Sequence, residues 1–155
     1  ADETPYRKTL CRYDAAGHMV EKAEYGPDGS LAMKLAFVYD ADGNEIEELE
    51  YDGDEALAKK KLCRYDDAGR LIEATTCDAD GAVSIKTLYD YDAAGNKSHV
   101  SYCNAAGVVF GTTVWKYDER GNLLEEPLGR LKMNNNGDPE FVQVRLSTRT
   151  YEYYE

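Results

Sequence analysis

Histidine is nearly absent from this chain, with only His18 and His99 among 155 residues. A general base needs a polar partner and a cleft, and neither histidine has neighbours that promise them. The expectation is therefore no enzyme and no catalytic residue. No Cys-x-x-Cys pair occurs, so a zinc site is not expected. The apolar runs are only a few residues long, too short to span a membrane as a helix. Basic residues are scarce beside acidic ones, 18 against 30, for a net charge of -12. A field of that sign repels phosphate backbones and anionic membrane surfaces, so neither nucleic acid nor membrane insertion is expected. No signal peptide is recognisable, and a start at Ala1 fits a processed secreted protein or a trimmed piece equally well.

What the chain has is a period. Tyr13, Tyr39, Tyr65, Tyr91 and Tyr117 recur every 26 residues, each followed by Asp and then by Gly17, Gly43, Gly69, Gly95 or Gly121. An interleaved column holds Tyr25, Tyr51, Cys77 and Cys103, most of them leading to a second glycine (Gly29, Gly81, Gly107). Self-similarity at fixed spacing marks a repeat architecture. The repeats run 13–38, 39–64, 65–90 and 91–116, with a degraded copy at 117–142, inside one domain of 1–155. Pro127 breaks the strand pattern, Met133–Gly137 reads as a longer turn, and about 127–155 reads as a cap on the open edge.

Each repeat reads turn, strand, turn, strand. Asp-x-x-Gly suits a three-residue hairpin loop, a type I turn followed by Gly in a G1 bulge. Segments between turns are too short for helical apolar spacing. The fold expectation is all-β: a single continuous, twisted antiparallel sheet of tandem hairpins. This turn places Tyr25 opposite Leu31, Tyr51 opposite Leu57, Cys77 opposite Val83 and Cys103 opposite Val109. Simple alternation then puts Phe37, Tyr89, Trp115 and the repeat tyrosines on that same face. It puts Lys34, Lys60, Lys86, Glu24 and Glu50 on the other.

The cysteines fall in two columns. Cys11 and Cys63 take the place of Phe37, Tyr89 and Trp115, and Cys77 and Cys103 that of Tyr25 and Tyr51. They read as small hydrophobes. Equivalent positions in a meander lie two strands apart, about 9.5 Å, whereas a disulfide needs Cα atoms within about 7 Å.

The strict recurrence of Tyr-Asp-x-x-Gly, from Tyr13–Gly17 to Tyr117–Gly121, resembles the YD or RHS-type tandem repeat, over about residues 6–126. The resemblance implies a spiralling sheet of hairpins and a bacterial secreted or surface setting. It brings no catalytic residues. It also brings no shell around a toxin, because the array is too short to close one.

Asp40-Ala-Asp42-Gly-Asn44-Glu45 begins like a calcium loop, then puts Glu45 where glycine belongs and Tyr51 where a bidentate glutamate belongs. No metal or cofactor is expected. Glu21, Glu47, Glu73 and Glu125 form a column of like charge, with His99 in the fourth place; His18 and His99 both read as surface residues. Ligand-facing aromatics are expected at Trp115, Tyr151, Tyr153 and Tyr154, since such rings stack on sugars or anchor a protein partner. The expected role is a non-enzymatic recognition or scaffold module, extracellular or on the cell surface, meeting a protein or glycan surface or another copy of itself. The alternatives are a carbohydrate-binding module with Tyr/Trp platforms, and a structural fragment of a larger repeat protein.

Overall fold

The computed structural model of the chain describes residues 7–133 and 139–151. Among them are strands and turns and no helix. The strands are β1 (Lys8–Tyr13), β2 (Met19–Tyr25), β3 (Leu31–Tyr39), β4 (Glu45–Tyr51), β5 (Leu57–Tyr65) and β6 (Leu71–Asp78). Then follow β7 (Val83–Tyr91), β8 (Lys97–Cys103), β9 (Val109–Val114), β10 (Lys116–Tyr117), β11 (Leu123–Met133) and β12 (Pro139–Thr148). β1 to β9 make a nine-stranded sheet in chain order, and β10, β11 and β12 a three-stranded one. The chain divides into two compact units, Ala1–Ser84 and Ile85–Glu155.

The turns explain the strands. In the first, the amide of Asp14 donates to the His18 carbonyl at 2.9 Å and that of Gly17 to the Asp14 carbonyl at 3.2 Å. The same two bonds recur from Asp40, Asp66, Asp92 and Asp118. Gly17, Gly43, Gly69, Gly95 and Gly121 all have φ between +72° and +91°, the left-handed backbone that a side chain disfavours. The expected three-residue loop is the one that forms.

The register follows. In the first unit Tyr25 lies opposite Leu31 and Tyr51 opposite Leu57; in the second, Cys103 lies opposite Val109. The assignment of faces does not hold. Beyond the Tyr25/Leu31 pair the ladder resumes at Glu24/Met33, so Ala32 is an extra residue in a bulge. One extra residue flips every later side chain to the other face. Lys34 accordingly lies opposite Tyr51, Lys60 opposite Cys77 and Lys86 opposite Cys103. Glu24 and Glu50 lie opposite Met33 and Leu35, on the face of Phe37 and Cys63.

Among the described residues the buried side chains are small: Ala23, Cys63, Ala74, Cys77, Val100, Cys103 and Thr113. Cys77 is on the lysine face, Cys63 and Ala74 on the other. Both faces of the first unit therefore hold part of the core, and the half-buried tyrosines and lysine stems around these residues do the covering. All four cysteines are free thiols.

Within the second unit Trp115 separates β9 from β10, and its amide donates to the Ser98 carbonyl at 3.0 Å. Pro127 does not break the strand. It lies within β11 opposite Leu146, past the last residue that β10 pairs. On that side the missing N–H interrupts no ladder. β11 and β12 lie in contact with β9. Of the turn expected at Met133–Gly137, residues 134–137 lie outside the described residues.

Candidate functional site

Three of the recurring tyrosines tie their repeat to the one before. Tyr39 donates its hydroxyl to the Met19 carbonyl at 2.8 Å, Tyr65 to that of Glu45 at 2.8 Å, and Tyr117 to that of Lys97 at 2.9 Å. Each acceptor is the first residue of the strand leaving the previous Tyr-Asp turn. Burial pushes the three phenols above their ordinary pKa, with nearby carboxylates adding to it. Tyr13 has no earlier repeat among the described residues, and it is 58% exposed.

The aspartates are equally engaged. Asp40 Oδ1 accepts from the amides of Asp42 and Asn44, at 3.0 and 2.8 Å, while Asn44 Nδ2 donates to Oδ2 at 3.0 Å. Asp92 and Asn96, and Asp118 and Asn122, repeat the arrangement, and Arg70 Nε fills the same place on Asp66 at 2.8 Å. These bonds hold carboxyls below the ordinary value: the Asn44 side chain leads at Asp40, Arg70 at Asp66 and Asn96 at Asp92. At Asp14 the backbone amide of His18 is the main cause.

His18 is not a free surface residue. It is half-buried, its Nδ1 lies 3.0 Å from Asp14 Oδ2, and its ring stacks on Tyr39 at 4.7 Å between centroids. The signal was in the sequence: His18, Asn44, Arg70, Asn96 and Asn122 all carry a donor four residues after the turn aspartate. His99 lies opposite Asp90.

The glutamate column is neutralised rather than bare. Arg12 meets Glu21 at 3.4 Å, Arg64 meets Glu73 at 3.2 Å, Lys116 meets Glu125 at 2.8 Å, and Lys60 pairs with Glu47. At the fourth place the residue types differ, with Asp90 where the others have the base and His99 where they have the glutamate. Among the described residues no group of histidine, cysteine and carboxylate side chains could hold a metal ion.

Of the aromatics singled out, Trp115 is half-buried, and Lys97 Nζ lies 5.7 Å from its ring and 5.4 Å from that of Tyr89. Tyr151 is 38% exposed, with its hydroxyl 3.3 Å from the Leu123 carbonyl. Tyr153 and Tyr154 lie outside the described residues. Two open grooves lie among the described residues of the first unit. One, of about 660 Å³, runs between successive Tyr-Asp turns and is lined by Asp40, Asp42, Arg64, Tyr65 and Asp67. The other, of about 490 Å³, lies beside β1 and is lined by Lys8, Leu10, Tyr25 and Pro27.

Comparison with known proteins agrees with this geometry. The sequence model of the RHS Repeat family matches residues 65–109. No curated protein sequence matches the chain. Among solved structures, that of TcdB2-TccC3-Cdc42 is similar over 93% of this chain, at 18% identity and a TM-score of 0.52. The Tc holotoxin pore of Photorhabdus luminescens is similar over 86%, at 15% identity and a TM-score of 0.43. A protein of unknown function from Bacteroides fragilis NCTC 9343 is similar over 94% of this chain and 93% of its own, at 12% identity and a TM-score of 0.40. The chain spans 8% of the length of each of the two toxin chains. At 18% identity the first of these likenesses is one of fold alone. The match at 65–109 takes in the Tyr65 and Tyr91 turns: these residues carry RHS-type tandem repeats, and the same Tyr-Asp-x-x-Gly spacing continues on both sides of them.

Proposed function

We propose that the chain is a non-enzymatic recognition or scaffold module, secreted or displayed on a bacterial surface. The supporting observation is where the recurring polar residues are spent. Turn aspartates hold their own loops, and Tyr39, Tyr65 and Tyr117 hold the preceding repeat. What varies from copy to copy is the half-exposed strand surface, and variation there is what selects a partner. The test is a glycan array of the purified chain, with calcium and with chelator, beside a pull-down on intact bacterial cells. A glycan hit lost in Trp115→Ala would make the chain a sugar-binding module. Retention on cells with a blank array supports a protein partner, and retention on neither would overturn the reading.

A second reading is a structural segment of a larger repeat protein. It is favoured by the 8% of the neighbouring toxin chain that this chain spans. A segment of that kind would bind neither glycans nor cells.

A further inference from the structure

Four residues after each Tyr-Asp aspartate stands the side chain that holds its carboxylate: His18, Asn44, Arg70, Asn96 and Asn122. An asparagine amide is neutral at every pH, and an arginine guanidinium is always charged. Imidazole changes charge between pH ~5 and pH ~8. His18 is thus the member of the column whose hold on its aspartate varies across that range.

Its seat carries that hold beyond its own loop. Nδ1 lies 3.0 Å from Asp14 Oδ2, and the ring stacks on Tyr39 with 4.7 Å between centroids and 23° between planes. Tyr39 in turn donates its hydroxyl to the carbonyl of Met19, the residue after His18, at 2.8 Å. A Cβ on Gly43 would come 3.1 Å from His18 Nε2, so the glycine of the second turn leaves the ring its room. The first turn, the second turn and the tyrosine that ties them meet on one imidazole. All of these partners lie at or after Asp14.

The ionisable groups at this corner are Tyr13 and Asp14 where β1 enters the turn, Tyr39 at the end of β3, Asp40 and Asp42 in the next turn and Glu45 at the start of β4. Asp14 is held below the ordinary carboxyl value, by the His18 amide first and with the His18 ring adding to it, so it stays an anion throughout the imidazole range. Asp40 is bonded to the Asn44 side chain, and Glu45 meets Lys61 at 3.0 Å. A proton on His18 turns its contact with Asp14 into a charge-assisted bond and lays a cation on the Tyr39 ring.

We propose that His18 is a pH-sensitive joint between the first two repeats. Protonated, it clamps Asp14 and the Tyr39 ring together as a cation, as Arg70 clamps Asp66; neutral, it holds them no more firmly than an asparagine does. The clamp is present on the acid side of the imidazole range and is released as pH rises through it. The proposal is independent of the recognition reading and needs no ligand.

The test is amide exchange in the full chain, each rate divided by that of the unfolded chain at the same pH. The reporters are the amides of Asp14 and Asp66, which close equivalent turns on the carbonyls of His18 and Arg70, each at 2.9 Å. From pH ~8 to pH ~5 the protection at Asp14 should rise about threefold, the worth of one half-exposed ion pair, while that at Asp66 stays level. In His18→Asn the rise should vanish, with protection at the lower level. In His18→Arg it should vanish with protection at the higher level at both pH values. Asparagine and arginine fill this place in other repeats, so both variants keep the turn. Protection at Asp14 that does not change with pH overturns the proposal. So does a rise that survives His18→Asn, an equal rise at Asp66, or an arginine variant that behaves as the asparagine one.

Discussion

Asp78 and Asn104 occupy equivalent corners one repeat apart and do the same work. Each Oδ1 accepts from the amides two and four residues on, at 2.9–3.1 Å. A neutral amide therefore suffices to close this turn, while the aspartates add a charge that titrates. At Asp40 and Asp92 the folded pKa is lowered, chiefly by the side chains of Asn44 and Asn96. A lowered folded pKa contributes stability that is complete above the unfolded value, near 3.8, and is lost as pH falls through the folded value. Asp40→Asn with Asp92→Asn should lower the urea midpoint at pH 7, because the charged acceptors of the Asn44 and Asn96 side chains are gone, and flatten its fall below pH ~4. A steeper acid fall than that of the unaltered chain would contradict this account. Glu55 gives the opposite case. It has φ +60° where the other turns on its side place Gly29, Gly81 and Gly107. Its carboxylate meets Lys34 at 2.6 Å, but the side chain is 66% exposed, so the ion pair is worth little. Glu55→Gly should stabilise the chain by about 0.5–1 kcal/mol, read from the denaturant midpoint.

At the level of the element, the hairpin was legible because its turn is written in fixed letters. A glycine four residues after the strand's last tyrosine, in Asp-x-x-Gly or in Gly26-Pro-Asp-Gly29, dictates the loop, and the loop dictates Tyr25 opposite Leu31. The faces were not legible, because the bulge at Ala32 adds one residue that leaves no mark in the polar/apolar pattern. Nor was the tie between repeats, since Tyr39 and Met19 come together only once the intervening hairpin has formed. The ligand-facing reading of Trp115 rested on what such rings can stack on or anchor; its ring sits half-buried, with Lys97 Nζ 5.7 Å from it. The tie can be tested within one molecule. Tyr65→Phe removes a hydroxyl bonded at 2.8 Å to the Glu45 carbonyl and should cost about 1 kcal/mol. Tyr13→Phe removes a hydroxyl that has no earlier repeat to bond among the described residues and should cost nothing measurable. Equal midpoints for the two variants would show that the tyrosine contributes through its ring and not its hydroxyl.

Across the whole molecule, burial is spread thin, and that makes the thiols natural reporters. A sheet whose buried side chains are small draws stability from many modest contacts between neighbouring strands, which is how repeat arrays behave. Opening a strand then exposes its buried cysteine, and the four thiols sample different places. Cys11 lies on the exposed strand β1, whereas Cys63, Cys77 and Cys103 are 7%, 6% and 2% exposed. Burial also pushes the Cys63 thiol up, so less of it is the reactive thiolate even when reagent arrives. At neutral pH one thiol per chain, Cys11, should react at once with a disulfide reagent. The other three should react only as their strands open, with rates that rise with denaturant. Cys63 and Cys77 lie in the first compact unit and Cys103 in the second. If each unit opens as one body, mass spectrometry of labelled fragments will give Cys63 and Cys77 a common denaturant midpoint, while Cys103 follows that of its own unit. Rapid native labelling of Cys63 would contradict the covered position on β5. Separate midpoints for Cys63 and Cys77 would show that strands, rather than units, are what opens.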